Sequence, residues 1–216
     1  MTKATNFNLL EFKATKASLP TKQEDNSLGP TSADVEVVFR NHRQKLIEFI
    51  QKYDCILGAV AWFTDHAVIK SLRGKYVSII VQKEDFLQPN KTAKEELLKA
   101  YESLEFNSKS LERCDLYGNA KNLCYAQDRY IEPFRCMGNS NKDRSAATPR
   151  MHNKFLVGCS IKRNTEHWFM DIVPKAVWTG SYNFSYPAQR SFENAVIITD
   201  KKVAEAYYRE HSQIFG

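Results

Sequence analysis

The feature that most constrains the fold is the near-continuous apolar run CILGAVAWF at residues 55–63. It is far shorter than the apolar stretch needed to cross a bilayer, and it has no polar face. Such a run is typical of a strand that is buried on both faces. The run YVSIIVQK at residues 76–83 has the same character. Two strands of this kind need a sheet that is covered on both sides.

Helix signals alternate with these strands. The segment VEVVF (35–39) predicts a strand, and Asn41 and Gln44 have the spacing of a capping box at the start of a helix. Asp65 is predicted to cap a short helix that ends at Leu72. Thr92 and Glu95 form a second predicted capping box. The helix that follows would turn these residues inward: Leu97, Leu98, Tyr101 and Leu104.

The C-terminal half adds further strands and a last helix. RYIEPFRCM is a candidate strand that Pro133 would place at an edge or a bulge. AVWTG (176–180) and NAVIITD (194–200) predict strands, and KKVAEAYYREHSQIF predicts an amphipathic helix. The alternation predicts an α/β sandwich with helices on both faces of a sheet.

Length and composition fit one domain. The chain has 216 residues, of which 43% are hydrophobic and 26% are charged. We expect residues 1–32 to be a flexible tail, and residues 33–216 to form a single domain with an insertion at about 106–150. The formal net charge of +6 favours an anionic partner such as nucleic acid.

The cysteines and the N-terminus indicate a reducing compartment. The five cysteines include no CxxC pair, which fits free thiols better than disulfides or a structural zinc site. The N-terminal residues lack the pattern of a secretion signal. We therefore expect a cytoplasmic protein with no metal, no cofactor and no membrane association.

The candidate site begins at MHNKFLVGC, residues 151–159. If this run is a strand, alternation places His152 and Lys154 on one face and Asn153 on the other. Downstream, TGSYNFSYPAQRSFENAVII (179–198) supplies a close turn at Gly180, phosphate-binding donors at Ser181 and Asn183, and a carboxylate at Glu193 that could orient a histidine.

These motifs, in this order and each at a predicted strand, resemble the phospholipase D superfamily signature. The resemblance spans roughly residues 34–216 and implies an α-β-α sandwich with a mixed central sheet. Two features depart from the signature. Cys159 stands where the family has an aspartate, with Asp171 as a conceivable substitute, and the spacing from Lys154 to Gly180 is longer.

The resemblance also implies a mechanism. The chain carries one copy of the motif, and single-copy members of the family form homodimers that share the site. One His152 would attack phosphorus to give a phosphohistidine, and the second would protonate the leaving oxygen. Lys154, Ser181, Asn183 and Gly180 would bind the phosphate, Glu193 would support catalysis, and no metal would be required.

Three functions remain open on the sequence: a metal-independent nuclease acting on DNA or RNA, a lipid phosphodiesterase, and a nucleic-acid-binding protein that has lost turnover. Size, charge and the single motif favour the nuclease, and Cys159 is the argument for the inactive binder. A membrane-binding surface, which a lipid enzyme would need, is not evident. Ordinary surface or core roles are expected for His66, His167, Arg150, Arg190, Trp62 and Phe63.

Overall fold

A computed structural model of the chain describes residues 32–84, 87, 95–107, 112–114, 122–125, 133–140, 148–163 and 170–215. No helix in these residues is long and apolar enough to cross a membrane. The helices are α1 (His42–Gln51), α2 (His66–Ser71), α3 (Glu95–Asn107) and α4 (Lys201–Phe215). The strands are β1 (Asp34–Val38), β2 (Cys55–Val60), β3 (Tyr76–Gln82), β4 (Glu112–Cys114), β5 (Asn122–Tyr125), β6 (Phe134–Met137), β7 (Lys154–Arg163), β8 (Met170–Gly180) and β9 (Ala195–Thr199).

The strands form one mixed sheet. Its main order is β1-β9-β8-β7-β2-β3-β6, and β5 pairs with both β4 and β8. The pairs β2–β3 and β3–β6 are parallel, whereas β7 lies antiparallel to both β2 and β8. The predicted α/β class with a mixed central sheet is confirmed.

The sheet separates two apolar cores, as the buried runs predicted. On one face, side chains of α1, α2 and α3 pack with strand residues such as Leu156 and Trp178. On the other face, Ala204 and Tyr208 of α4 pack against Val157 and its neighbours. Strand β2 is buried at every position because both of its faces are covered.

Most predicted elements occur close to their expected positions. Asp65 caps α2 by accepting hydrogen bonds from the main-chain nitrogens of Ala67 and Val68. The four inward residues predicted for α3 are all buried. β6 begins directly after Pro133 and forms an edge of the sheet. Thr92 of the second capping box, the tail to residue 31 and most of the 106–150 stretch lie outside the described residues.

The capping box predicted at Asn41 is wrong. Asn41 has a left-handed backbone, with φ 57° and ψ 33°, and its side chain makes no capping hydrogen bond. Gln44 instead donates to Glu48 one turn further along the helix, at 3.0 Å. The left-handed backbone explains the error, because a side-chain cap normally requires an extended backbone at this position.

Strands β7 and β8 are both longer than predicted. The polar stretch after KFLVG continues β7 to Arg163, and β8 begins at Met170 rather than at Ala176. The two strands pair with each other along their whole length, whereas β2 pairs with β7 only as far as Cys159. The far half of this hairpin has fewer strand neighbours and is less buried, so it tolerates polar residues.

Candidate active site

Strand direction brings the two predicted motifs to one edge of the sheet. β7 starts at Lys154, β8 ends at Gly180, and their antiparallel register pairs Phe155 with Thr179. The long interval from Lys154 to Gly180 is therefore the length of a hairpin that returns to its starting point. β2 ends at the same edge, where Val60 pairs with Lys154.

His152 and Lys154 are in contact. The ammonium nitrogen of Lys154 lies 3.4 Å from Nδ1 of the His152 ring and donates to the main-chain oxygen of His152 at 3.0 Å. The imidazole is exposed, and Lys154 is partly buried where its strand enters the core. The pair thus presents a ring nitrogen and a positive charge to the same region of solvent.

The surroundings of this pair favour a neutral imidazole. The pKa of His152 is lowered from 6.5 by partial burial and then by the charges of Lys154 and Arg150. Burial also lowers the pKa of Lys154, while the charge of Glu193 opposes this change. An unprotonated imidazole beside a cation is suited to nucleophilic attack on an anionic ester, because the ring retains its lone pair.

Gly180 allows the chain to leave β8 close to β9. A Cβ atom at this position would lie 2.2 Å from the main-chain oxygen of Asn194 and 2.7 Å from Cα of Ala195. Ser181 continues this close approach, because its main-chain nitrogen donates to the oxygen of Asn194 at 3.0 Å. The turn therefore fixes where the Ser181 hydroxyl lies.

Ser181 connects the turn to Glu193. Its hydroxyl donates to Oε2 of Glu193 and accepts a 3.1 Å hydrogen bond from the main-chain nitrogen of Asn194. Among the described residues no hydrogen bond joins Glu193 to His152, although this contact was expected. Within one chain Glu193 instead holds the serine hydroxyl, and its charge acts on Lys154.

Asn183 lines a cavity of about 330 Å³ beside these groups. Its Oδ1 atom is buried and has no hydrogen-bond partner in the described part of the chain. We name this the Asn183 cavity, and it is lined by Trp62, Thr64, Asn183, Ser185, Pro187, Ala188, Ser191 and Glu193.

The sequence did not reveal how the turn after β8 is anchored. The main-chain nitrogens of Thr64 and Asp65 donate to the oxygen of Phe184 at 2.7 and 2.8 Å. The carboxylate of Asp65 also accepts from Gln189 at 2.7 Å. Asp65 thus caps α2 and also holds the turn after β8, which contains Asn183 and Phe184. The sequence predicted that Asp65 caps α2. It did not predict the contacts with Phe184 and Gln189, because these residues are far from Asp65 in the sequence.

Neither of the two residues considered for the aspartate role lies at this edge of the sheet. Cys159 is fully buried in the core beneath α4, and burial together with Cys55 raises the pKa of its thiol well above the usual value. Its side chain lies on the face opposite to Leu156 and the first core. Asp171 pairs with Lys162 near the far end of the hairpin, so it does not replace an aspartate at the site.

The remaining candidates have mixed positions. Phe63 is buried in the core, as expected, whereas Trp62 is 41% exposed at the rim of the Asn183 cavity. Arg150 forms a 2.7 Å ion pair with Glu84. His66 is exposed on α2. His167 lies outside the described residues, and within those residues no group of three His, Cys, Asp or Glu side chains could hold a metal ion.

The fold is that of the phospholipase D class of α/β proteins. The chain shares this fold with Nuc from Salmonella typhimurium, a phospholipase D family member, with a TM-score of 0.51 and 19% identity over 85% of this chain and 94% of that one. NucT from Helicobacter pylori aligns with a TM-score of 0.47 and 15% identity, over 84% of this chain and 95% of that one.

A sequence relative is a viral protein. An uncharacterized protein of Acanthamoeba polyphaga mimivirus is 32% identical over 204 residues, which is 88% of this chain. The match spans 66% of that protein's length. No protein-family model matches the chain.

Proposed function

We propose that this protein is a metal-independent phosphodiesterase, and that it is a nuclease acting on DNA or RNA. The observation that carries the proposal is the meeting of His152 and Lys154 with the turn from Gly180 to Glu193 at one sheet edge. The imidazole would supply the nucleophile, and the ammonium would supply the charge that binds phosphate.

The donors around this pair suit the non-bridging oxygens of a phosphodiester. Lys154 carries a positive charge, and the side-chain amide of Asn183 can donate from the wall of its cavity. The one proton of the Ser181 hydroxyl is donated to Glu193, so in this arrangement the hydroxyl positions the carboxylate and leaves donation to phosphate to Lys154 and Asn183. Fixed donors stabilise charge that develops in the transition state without the cost of reorganisation.

The proposed reaction has two steps and uses two subunits. A ring nitrogen of one His152 forms a bond to phosphorus, the bond from phosphorus to the leaving oxygen breaks, and His152 of the partner subunit gives that oxygen a proton. The partner's imidazole then removes a proton from water, which attacks phosphorus and breaks the bond to nitrogen. A homodimer is required because each chain carries one copy of the motif.

Nucleic acid is the proposed substrate on electrostatic grounds. The net charge of +6 favours a polyanion, and the rim of the Asn183 cavity carries the half-exposed ring of Trp62, which could stack on a base. We propose that the protein acts in the cytoplasm, as the buried side chains of Cys55 and Cys159 form no disulfide, which suits a reducing compartment.

A second candidate is a nucleic-acid-binding protein without turnover. The buried Cys159 favours it, because a thiol in the core cannot supply the negative charge of the aspartate in the family signature. Both functions predict salt-dependent binding of an oligonucleotide. Only the nuclease predicts cleavage.

The test is cleavage of labelled single- and double-stranded DNA and RNA in the presence of EDTA. We expect cleavage by the wild type, and a loss of about 10³-fold or more in His152→Ala, because the nucleophile is gone. The matched control is His66→Ala, which removes an exposed histidine from α2 and should leave the rate unchanged. Equal rates in His152→Ala and the wild type would refute the mechanism, and binding without cleavage by the wild type would favour the second candidate.

A further inference from the structure

A second cavity, of about 390 Å³, lies where α1 begins. We name it the α1 cavity. One wall comes from residues 39–44, at the start of α1 and just before it. The other comes from Tyr182 and residues 189–192. It is lined by Phe39, Arg40, Asn41, His42, Arg43, Gln44, Tyr182, Gln189, Arg190, Ser191 and Phe192.

The first turn of α1 forms part of the wall of this cavity. The first main-chain N–H groups of a helix have no partner within the helix, and together with the helix dipole they attract anions. A side-chain cap would normally satisfy one of them, but Asn41 has a left-handed backbone and makes no such hydrogen bond. The first turn also contains no acidic residue. This helix end therefore lacks the anionic or capping group that usually satisfies it.

Two buried side chains in the cavity wall also lack partners. Nε2 of His42 and the hydroxyl of Tyr182 are buried and make no hydrogen bond in the described part of the chain. His42 is 8% exposed, Tyr182 is fully buried, and their rings stack with centroids 4.9 Å apart. Burial raises the pKa of Tyr182 to about 12, so its hydroxyl remains a donor. Buried polar groups are rarely left unsatisfied, and a ligand oxygen in the cavity would satisfy them.

The charge of the cavity is positive. Arg40, Arg43 and Arg190 line it, and no acidic residue does so among the described residues. Arg190 donates to the hydroxyl of Tyr186, and Arg40 lies 6.0 Å from the centre of the Phe192 ring. Arg43 is exposed at the first turn of α1 and makes no ion pair in the part of the chain that the structure describes.

Exposed aromatic rings lie at the cavity rim. The side chain of Phe192 is 96% exposed, and that of Phe39 is 60% exposed. Two exposed rings beside one cavity form an apolar patch, and such patches often mark a binding site. A nucleobase is one partner for such a patch, because every base can stack on an aromatic ring and the cation of Arg40 adds to the attraction.

The α1 cavity adjoins the proposed catalytic site through one short segment. Ser191 lines both cavities, Tyr182 and Asn183 are adjacent in sequence, and Phe192 directly precedes Glu193. A chain that bound at both cavities would cross this segment. We propose that the α1 cavity binds the phosphate of a neighbouring nucleotide in the same nucleic-acid strand, with its base on Phe192. This inference rests on the proposed nuclease function and assigns it a polynucleotide substrate.

The test measures binding without turnover. A fluorescein-labelled single-stranded 12-mer is titrated into His152→Ala protein at several salt concentrations, and the same is done with Arg43→Ala and Phe192→Ala added. Both added changes affect exposed side chains, so the fold should persist. We expect each to weaken binding about 10-fold. Arg43→Ala should also lower the salt slope by about one, whereas Phe192→Ala should leave the slope unchanged.

The matched control is Arg209→Ala, which removes an exposed arginine from α4 on the other side of the sheet. If Arg43→Ala and Phe192→Ala bind the 12-mer as this control does, or if the parent protein does not bind it, the inference is wrong. If only inorganic phosphate binding depends on Arg43, the cavity is a small-anion site and the nucleic-acid assignment is also wrong. Because the assay needs no cleavage, it separates this result from a failure of the nuclease proposal.

Discussion

The surroundings of His152, which include the contact with Lys154, favour the neutral form of the proposed nucleophile. Partial burial and two nearby cations lower the pKa of the ring below 6.5, so the neutral form persists to lower pH than in a free histidine. Because the partner's ring must carry a proton, cleavage should decline at high pH; on the acid side it should be lost only as the pH falls through the lowered pKa of the nucleophilic ring. The activity of an enzyme with an unperturbed histidine would fall earlier.

We predict that Lys154→Met raises the pKa of His152. Methionine has a similar length but no charge, so the repulsion that disfavours the imidazolium is removed. Two-dimensional NMR of the ring protons as a function of pH measures the pKa directly and does not require activity. Lys70→Met, which removes an exposed lysine from α2, is the control and should cause no change. A pKa that is equal in both variants would mean that the two side chains do not interact in solution.

The sequence was informative about single residues where chemistry and strand periodicity coincide. His152, Lys154, Gly180, Ser181, Asn183 and Glu193 were all selected from motif order, and the structure groups them near one sheet edge. The partner of Glu193 was not predictable, because it depends on the close approach of β8 and β9. The α1 cavity was missed for a similar reason, since its two walls are far apart in sequence.

At the scale of elements, α4 buries a histidine against the sheet. His211 is fully buried, and its Nε2 atom lies 3.1 Å from the main-chain oxygen of Ser78 in β3. Burial lowers the pKa of His211 to about 3; the hydrogen bond to Ser78 opposes the change, and Arg135 adds to it. The folded protein therefore holds this ring neutral at a pH where an unfolded chain would protonate it.

We predict that His211 makes the protein less stable as the pH falls below about 6.5. Between that pH and about 3 the unfolded chain binds one proton more at this site, which lowers the free energy of unfolding by about 1.4 kcal/mol for each pH unit. In His211→Gln this contribution is absent, and the amide can still donate to Ser78. Urea unfolding at pH 7, 6, 5 and 4.5 measures the difference.

The control for this experiment is His66→Gln, because His66 is exposed and at the start of α2. Its stability should follow the pH dependence of the wild type. If His211→Gln does so too, the ring is not held neutral in the folded protein. Titrating carboxylates affect all three proteins alike, so the comparison isolates His211.

The elements themselves were predictable to the extent that burial follows from local pattern. The fully apolar β2 and the inward residues of α3 were recognised because each pattern matches one environment. The lengths of β7 and β8 were not predictable from local pattern, because their polar outer halves are stabilised by pairing with each other. The capping box at Asn41 was predicted wrongly because the sequence motif does not reveal the left-handed backbone that Asn41 adopts before α1.

At the scale of the whole molecule, the proposed mechanism makes the site of one chain half of a functional unit. One chain supplies one imidazole and one ammonium, whereas in-line displacement with an acid opposite the nucleophile needs two imidazoles. Two chains related by a twofold axis would supply both from the same surface.

We predict that the protein sediments with twice the mass of one chain, and that its activity depends on both subunits. When wild type and His152→Ala are unfolded together in equal amounts and refolded, about a quarter of the dimers should contain two wild-type chains and retain activity. If the folded proteins are instead mixed briefly, so that their subunits do not exchange, about half of the activity should remain. Activity proportional to the wild-type fraction in both mixtures, or a monomeric mass, would contradict a shared site.

The β7–β8 hairpin also has a practical consequence. From Lys154 to Arg163 the strand advances by about 30 Å at roughly 3.3 Å per residue, and β8 returns over the same distance to Gly180. The proposed catalytic groups and the paired residues Arg163 and Met170 therefore lie at opposite ends of one two-stranded ladder. A fluorescent label or surface-attachment tag attached beside Arg163 or Met170 would therefore lie far from the proposed active site, which suits single-molecule experiments.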